Sequence, residues 1–189
     1  MATKVYLAIG TAIFVGNVIY AQYTDNSVST LNSVMYEEIE ELNTGTLETT
    51  TTKVKYSDKD VECLARNVYY EAGVESTVGK YAVAQVTLNR VKTGYWGKSV
   101  CKVVYADSQF SWTKVPKRAW IRLKGRTWDE SRAVAEATLE QGVRVKKLKT
   151  ALFYHADYVR PNWRDKDKRV AKIGQHIFYT QAKGSTLKL

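Results

Sequence analysis

One carboxylate in this sequence stands where a carboxyl group becomes a useful proton donor. The apolar residues around it recur at helical spacing and form one stripe: Val61, Leu64, Ala65, Val68 and Ala72. Glu71 follows Val68 by three positions, so it borders this stripe. Burial and the C-terminal end of a helix dipole both raise the pKa of a carboxyl group there, which suits a general acid. The alternative is an ordinary border glutamate that pairs with a lysine or an arginine.

Two helices are expected to position this part of the chain. Ser57 is a suitable N-cap, Asp60 places a carboxylate in the first turn, and Gly73 ends the first helix. A second helix is predicted over residues 77–91, with Asn89 on its core-facing side. A buried amide must be satisfied by hydrogen bonds or open onto a cleft, so both interpretations of Asn89 stay open.

The chain offers few other groups for catalysis. Two segments rich in β-branched and aromatic residues, 148–155 and 170–180, predict a hairpin or small sheet in which His155 and His176 could meet. A catalytic zinc site needs three protein ligands, and no H-E-x-x-H pattern accompanies these two histidines. We therefore expect no metal and no cofactor, with a zinc amidase or peptidase as the weaker alternative. Packing or a disulfide accounts for Cys63 and Cys101.

Charge is distributed unevenly along the chain. Residues 1–56 contain three lysines and six acidic residues, so the net charge of +10 for all 189 residues leaves +13 on residues 57–189. A basic domain indicates a polyanionic partner, such as nucleic acid, a membrane surface or an anionic wall polymer. Five Trp and thirteen Tyr would also suit a nucleic-acid-binding module, but the sequence contains no recognised motif of that class.

Three regions are predicted. Residues 1–23 form a signal anchor or a signal peptide, since residues 5–23 carry no charge and would span roughly 28 Å as a helix. Residues 24–56 form an acidic, Thr-rich linker, with a short acidic helix over residues 28–42 and a mobile stretch over residues 44–52. Residues 57–189 form the folded domain, in which Thr127 and Glu130 predict a capping box that opens a third helix.

Several sequence blocks resemble one known family. The blocks are Ala65-Arg-Asn-Val-Tyr-Tyr-Glu-Ala72, Val78–Val91, Val103-Val-Tyr105, Gln109-Phe-Ser-Trp112, Tyr154-His155, Arg160-Pro161 and Ile173–Tyr179. In this order they resemble the SleB-type cell-wall hydrolases, and the resemblance runs from Cys63 to Tyr179. The chain departs from the family pattern at Gly73-Val74, where Arg-Gly is common, and at Lys114, where many members have a cysteine. The first departure affects the turn beside Glu71.

The resemblance implies an α+β fold, with a lysozyme-like and mainly helical catalytic domain and a small antiparallel sheet or hairpin, preceded here by an N-terminal membrane helix. It also implies cleavage of peptidoglycan glycan strands, with Glu71 as the catalytic residue. Hydrolysis would need a second carboxylate, for which Glu75 and Asp107 are the nearby candidates. A lytic transglycosylase needs only Glu71, acting as acid and then as base, and forms a 1,6-anhydro product.

The remaining motif positions are expected to hold sugar rings, because a run of glutamine, serine and aromatic residues offers hydrogen bonds beside flat apolar faces. The candidate substrate-binding residues are Tyr69, Asn89, Gln109, Ser111, Trp112, Tyr154, His155 and His176. We expect a monomer that contacts the membrane through residues 5–23 and binds no nucleic acid. It would be tethered to the inner membrane and then periplasmic, or secreted to the wall. We expect a phage endolysin, with a hydrolytic glycosidase of bacterial envelope remodelling as the alternative.

Overall fold

A computed structural model describes residues 47–49, 55–114 and 123–185 in full, together with the backbone of residues 12–15 and 18–21. The chain divides into two compact units, Met1–Thr44 and Gly45–Leu189. The second unit begins at Gly45, ahead of the domain start predicted at residue 57. Residues 45–56, predicted as part of the linker, therefore belong to the same unit as the folded domain.

The N-terminal unit contains a hairpin of two antiparallel strands, β1 (Ala12–Val15) and β2 (Val18–Ala21). This differs from the membrane helix predicted over residues 5–23. Both strands are rich in β-branched and aromatic residues, and a Gly-Asn pair between two such runs is typical of hairpins. No helix in the described part of the chain is long and apolar enough to cross a bilayer. The acidic helix predicted over residues 28–42 lies outside the described residues.

The second unit starts with a short strand, β3 (Leu47–Thr49), and its first helix is α1 (Asp58–Ala72). Ser57 caps α1 as predicted: its hydroxyl accepts a hydrogen bond from the Asp60 N–H at 3.2 Å, and the Asp60 carboxylate accepts one from the Ser57 N–H. Such a reciprocal pair satisfies two N–H groups that the first turn leaves without helical partners. The predicted apolar stripe of α1 is fully buried.

The central element is α2 (Thr77–Thr93), in which every residue from Val78 to Arg90 is buried. The helix begins at the N-cap Ser76 and ends at Gly94, whose φ of 69° requires the left-handed conformation that glycine adopts readily. A helix buried on all sides must be surrounded by other elements. The sequence predicted only one buried side for α2. Several residues of the other side are polar although they are buried, so the apolar pattern does not reveal that side.

Two further helices complete the helical layer, α3 (Val100–Val104) and α4 (Arg126–Glu140), and both pack against α1 and α2. The capping box predicted for α4 is wrong. Gly125 is its N-cap, with no side-chain hydrogen bond there. The Glu130 carboxylate instead contacts Lys80 of α2 and Arg126. The Glu130 carboxylate pairs with the buried Lys80 and does not cap the helix, because the charge of Lys80 would otherwise be buried without a partner.

Two small antiparallel sheets flank the helices. In the first, β4 (Val143–Val145) pairs with β3, so the Thr-rich stretch predicted to be mobile contains a strand. The second has the strand order β5-β7-β6 and contains β5 (Phe153–Ala156), β6 (Arg169–Ile173) and β7 (His176–Tyr179). Single 3-10 turns occupy Ser111–Lys114, Lys146–Leu148 and Lys166–Lys168. Helices with small antiparallel sheets are the arrangement that the sequence predicts for this domain.

Candidate active site

Glu71 lies half-buried in the last turn of α1 and faces β5. The hydroxyl of Tyr154, on β5, donates a hydrogen bond to Glu71 Oε2 at 3.1 Å. This side chain is therefore neither free in solvent nor paired with a surface cation. The capped start and buried stripe of α1 fix the backbone of Glu71, and the pairing of β5 with β7 fixes that of Tyr154.

Burial raises the pKa of Glu71, and this effect exceeds two opposing ones. The hydrogen bond from Tyr154 and the positive charge of Arg90 each lower that pKa, because both stabilise the carboxylate form. Burial also raises the pKa of Tyr154 well above its usual value, so its hydroxyl keeps the proton that it donates. The upward direction for Glu71 agrees with the sequence analysis and favours a carboxyl group that can release a proton during a reaction.

Arg90 is the residue of this site to which the sequence analysis assigned no role. It lies buried on α2, its Nε donates a hydrogen bond to the Leu152 carbonyl at 2.8 Å, and its guanidinium lies 4.9 Å from the centre of the Trp96 ring. Its Nη1 has no hydrogen-bond partner among the described residues. The available signal was a basic residue directly after Asn89, on the side of the helix predicted to face the core, since a charge is rarely buried without a purpose.

Glu75, the first candidate for a second carboxylate, is held in a tight cradle. Its Oε1 lies 3.6 Å from His176 Nδ1, and it accepts a hydrogen bond from the Gln175 N–H at 3.2 Å. A Cβ atom at Gly174 would lie 1.8 Å from Glu75 Oε2, so the close approach requires glycine at this turn. Asp107, the second candidate, is exposed. Glu75 therefore joins the turn between α1 and α2 to the turn between β6 and β7.

The two histidines lie on opposite faces of the sheet. Residues alternate between faces along a strand, and Ala156 pairs with His176 while His155 pairs with Ile177. His176 faces the Glu71 side, where its ring lies edge-on to Tyr154 with 5.1 Å between ring centres. Burial lowers the pKa of His176, and the nearby Glu75 charge offsets this only in part.

His155 belongs to an aromatic cluster on the other face. Its ring stacks on Tyr179 and contacts Trp163 edge-on, and its Nε2 shares a hydrogen bond with the Tyr179 hydroxyl at 3.0 Å. The prediction that His155 contacts substrate beside Glu71 therefore needs correction. Among the described residues, no group of three or more His, Cys, Asp or Glu side chains is arranged to hold a metal ion.

Two other predicted substrate-binding residues, Asn89 and Trp112, are buried. The Asn89 amide is buried and donates hydrogen bonds of 2.9 Å to the carbonyls of Leu148 and Ala151. Trp112 is buried as well, stacked on Tyr70 with ring centres 4.7 Å apart, and its indole N–H donates to Asn67 at 3.1 Å. Both side chains use their polar groups inside the protein, because an unpaired buried group would be costly.

The remaining candidates lie at the surface. Tyr69 is half-buried and contacts Trp128 of α4 edge-on. It precedes Glu71 by two positions, and such residues do not share a helix face, so Tyr69 lies away from the Glu71 side. Ser111 is exposed. Gln109 is half-buried, with its amide donating to the Asp107 carbonyl at 3.1 Å.

A disulfide joins Cys63 of α1 to Cys101 of α3, across 38 positions of sequence. It anchors the middle of the helix whose last turn carries Glu71. Cys101 lies in the short helix that follows the loop containing Trp96, so the bond also restrains the region next to Arg90. Neither cysteine is available as a nucleophile in this state.

Two cavities are open to solvent near these elements, and Glu71 lines neither. One, of about 650 Å³, is lined by basic residues together with Glu48 and Asp60. The other, of about 510 Å³, is an open groove lined by Tyr95, Trp96, Gln109, Phe153, Ala182, Lys183, Gly184 and Ser185. Gln109 thus lines a groove to which Glu71 does not contribute.

A protein-family model described as Cell Wall Hydrolase matches residues 74–179 of this chain. The chain belongs to the cell wall hydrolase family. The match covers α2, the sheet and Tyr154, and it begins three positions after Glu71. Family membership thus rests on residues that follow Glu71 in the chain. The case for Glu71 as a proton donor rests on the geometry described above.

Curated relatives in this family include two spore cortex-lytic enzymes, from Halalkalibacterium halodurans and Oceanobacillus iheyensis. Each is 30% identical to this chain over 125 residues, which is 65% of the chain. The match spans 35% of the length of the first relative and 42% of the second. The family resemblance stated from the sequence is therefore confirmed, over a part of these longer proteins.

Solved structures show the same fold. The catalytic domain of the germination-specific lytic transglycosylase SleB from Bacillus anthracis superposes with a TM-score of 0.52 at 27% identity, covering 68% of this chain and 99% of that one. The catalytic domain of the Bacillus cereus SleB protein gives a TM-score of 0.51 at 28% identity, covering 69% and 98%. The second unit of this chain thus has the architecture of a SleB catalytic domain.

Proposed function

We propose that this protein cleaves the glycosidic bond between N-acetylmuramic acid and N-acetylglucosamine in peptidoglycan, with Glu71 as general acid and then base. The observation that carries the proposal is the half-buried Glu71 carboxyl group, whose pKa is raised and which is held by the Tyr154 hydroxyl. The name of the solved neighbour from Bacillus anthracis, which describes a lytic transglycosylase, supports the same reaction class.

The first step transfers the Glu71 proton to the bridging oxygen between the two sugars. The bond from that oxygen to C1 of the muramic acid breaks, and positive charge develops at C1 and its ring oxygen. Glu71 is now a carboxylate, which stabilises this charge. Tyr154 continues to donate its hydrogen bond to that carboxylate, and the positive charge of Arg90 acts in the same direction.

The second step returns the carboxyl group to its starting state. The Glu71 carboxylate takes the proton from the 6-hydroxyl of the same muramic acid, and the 6-oxygen attacks C1. The product is a 1,6-anhydro ring, and no water is consumed. This route needs one carboxyl group, which fits a site where Glu75 contacts His176 and the Gln175 backbone and Asp107 is exposed.

The charge of the domain supports an anionic polymer as substrate. The stem peptides of peptidoglycan carry free carboxylates, and the net charge of +13 on residues 57–189 attracts such a polymer. The attraction is screened by salt, so association with the wall should weaken at high ionic strength. We propose that the enzyme acts as a monomer on this substrate.

The Cys63–Cys101 disulfide supports a working location outside the cytoplasm, because such bonds persist in oxidising compartments. We propose that the uncharged residues 5–23 direct export, either as a membrane tether or as a segment removed during transport. Fractionation of expressing cells, with N-terminal sequencing of the recovered protein, distinguishes these two fates. Recovery only from the cytoplasm with free thiols would contradict both.

Mass spectrometry of purified peptidoglycan digested by the enzyme tests the reaction. Fragments that end in 1,6-anhydro-muramic acid support the proposed transglycosylase. Fragments with reducing ends indicate hydrolysis by the same site, with water in place of the 6-hydroxyl. Release of stem peptides that a chelator abolishes would indicate a zinc amidase and overturn the proposal, as would the absence of any cleavage.

A further inference from the structure

The open groove lined by Tyr95, Trp96, Gln109 and Phe153 has the character of a second binding site. Tyr95 is 68% exposed, and its ring contacts Trp96 edge-on with 5.0 Å between ring centres. Trp96 in turn contacts Phe153 edge-on at 5.7 Å. These three rings are in contact with one another and line one wall of the groove, where Tyr95 is largely open to water.

The buried Arg90 packs against two of these rings and fixes their positions. Its guanidinium lies 4.9 Å from the centre of the Trp96 ring and 5.8 Å from that of Phe153, within the range of cation–π attraction. Its Nε is fixed at the same time by the Leu152 carbonyl. A ligand therefore meets rings that are already ordered, and it loses little free energy in arranging them.

The groove also contains polar residues. Gln109, Lys183 and Ser185 line the groove together with the rings. Flat apolar rings with amide and cationic groups in the same groove match a sugar ring, which has one apolar face and hydroxyl groups around its rim. The cation also complements the carboxylates that the stem peptides carry.

The groove and Glu71 share two supports. Phe153 and Tyr154 are consecutive on β5, so one points towards the groove and the other towards Glu71. Arg90 packs against the groove rings and also acts electrostatically on Glu71. The groove and Glu71 are thus linked through β5 and Arg90.

We propose that the Tyr95–Trp96 groove is a distal subsite that binds a sugar unit of the same glycan strand that is cut at Glu71. This inference rests on the proposed function for its substrate, but it concerns binding at a separate place. The groove makes long strands better substrates than short fragments, since only a long strand reaches both places.

The test replaces the outermost ring, which contacts no catalytic group. Tyr95→Ala should raise KM for long glycan strands about tenfold, the loss expected for one stacked ring, and leave kcat unchanged. Turnover of short fragments that reach only Glu71 should not change. Tyr158→Ala is the matched control, because Tyr158 is 77% exposed and lies outside the groove. An unchanged KM for Tyr95→Ala, or an equal rise for both variants, overturns the proposal.

A binding measurement separates failure of the subsite from failure of the proposed reaction. In Glu71→Gln protein, affinity for purified glycan strands is compared with and without Tyr95→Ala, by sedimentation with insoluble peptidoglycan and by calorimetry with soluble strands. Weaker binding only with Tyr95→Ala supports the subsite even if the wild-type protein cuts no glycan. Equal binding by both proteins refutes the subsite even if cleavage is confirmed.

Discussion

The Tyr154 hydroxyl and the Glu71 carboxylate are joined by a hydrogen bond of 3.1 Å although 83 positions separate the two residues in the chain. The bond connects the end of a helix to the middle of a strand, so it exists only in the folded domain. It stabilises the carboxylate form of Glu71, whereas burial stabilises the protonated form. Because both protonation states of Glu71 are stabilised in this way, its carboxyl group can release a proton and take one up again within one reaction.

The central prediction concerns Glu71→Gln. Glutamine keeps the size of the side chain and can accept the Tyr154 hydrogen bond, but it has no proton to donate to a leaving oxygen. The rate of muropeptide release should fall by about 10³-fold or more, in line with the loss of a general acid. Circular dichroism should show an unchanged fold.

Two other carboxylates provide the controls. Glu75→Gln and Asp107→Asn should reduce the rate far less, because one carboxyl group suffices for the proposed reaction. A loss from Asp107→Asn as large as that from Glu71→Gln would mean that a second carboxylate takes part, and the reaction would then be a hydrolysis.

The dependence of activity on pH should respond to Tyr154→Phe. The general acid must be protonated in the free enzyme, so kcat/KM should fall as the pH rises through the raised pKa of Glu71. The Tyr154 hydrogen bond lowers that pKa, and its removal should raise it further. The alkaline limb of the pH–rate profile should therefore move to higher pH in Tyr154→Phe. A limb that stays in place, or moves to lower pH, would show that Glu71 is not the titrating group.

Asn89→Ala tests whether Asn89 is structural. The substitution leaves the Leu148 and Ala151 carbonyls without their buried donor, which should lower the free energy of unfolding by roughly 1–3 kcal/mol in urea denaturation. Gln109→Ala, at a half-buried groove residue, should change it by less than about 0.5 kcal/mol. If Asn89→Ala instead raised KM without any loss of stability, Asn89 would be a substrate-binding residue after all.

Removal of the Cys63–Cys101 disulfide should destabilise the domain. The bond closes a loop of 38 residues, for which chain entropy gives roughly 4 kcal/mol. In a domain of this size that corresponds to a fall in Tm of roughly 8–16 °C. A double Cys→Ser variant and the wild type under reducing conditions should show similar falls in differential scanning calorimetry. A fall below about 2 °C in both would mean that the bond restrains little of the unfolded chain.

Local signals in the sequence predicted much of the helical layer and its sheet. The Ser57 cap and the apolar spacing that follows it were sufficient for α1, because a cap and a stripe are decided within a few residues. The cap of α4 was not predictable in this way. Glu130 had a suitable spacing from Thr127, but the buried Lys80 of α2 takes its carboxylate, and that contact joins residues 50 positions apart.

In the candidate site, too, local features were predictable from the sequence and long-range contacts were not. Position on α1 was enough to predict that burial raises the pKa of Glu71, whereas Arg90 and the different faces of His155 and His176 depend on which strand pairs with which. The N-terminal prediction used lack of charge alone, and the described backbone at residues 12–15 and 18–21 follows β propensity instead. Tertiary partners and strand register are the information that one sequence does not display.

Tyr154 and Phe153 lie on opposite faces of strand β5, so one face is turned towards Glu71 and the other towards the aromatic groove. Sliding this strand by a single residue against β7 would exchange those two sides, taking the hydroxyl from the carboxylate and putting a benzyl ring in its place. A one-residue insertion or deletion between residues 148 and 153 should thus abolish glycan cleavage, although Glu71, Tyr154 and Phe153 would all still be present in the protein. The length of the segment before β5 therefore matters to the site as much as the identity of any one side chain in it.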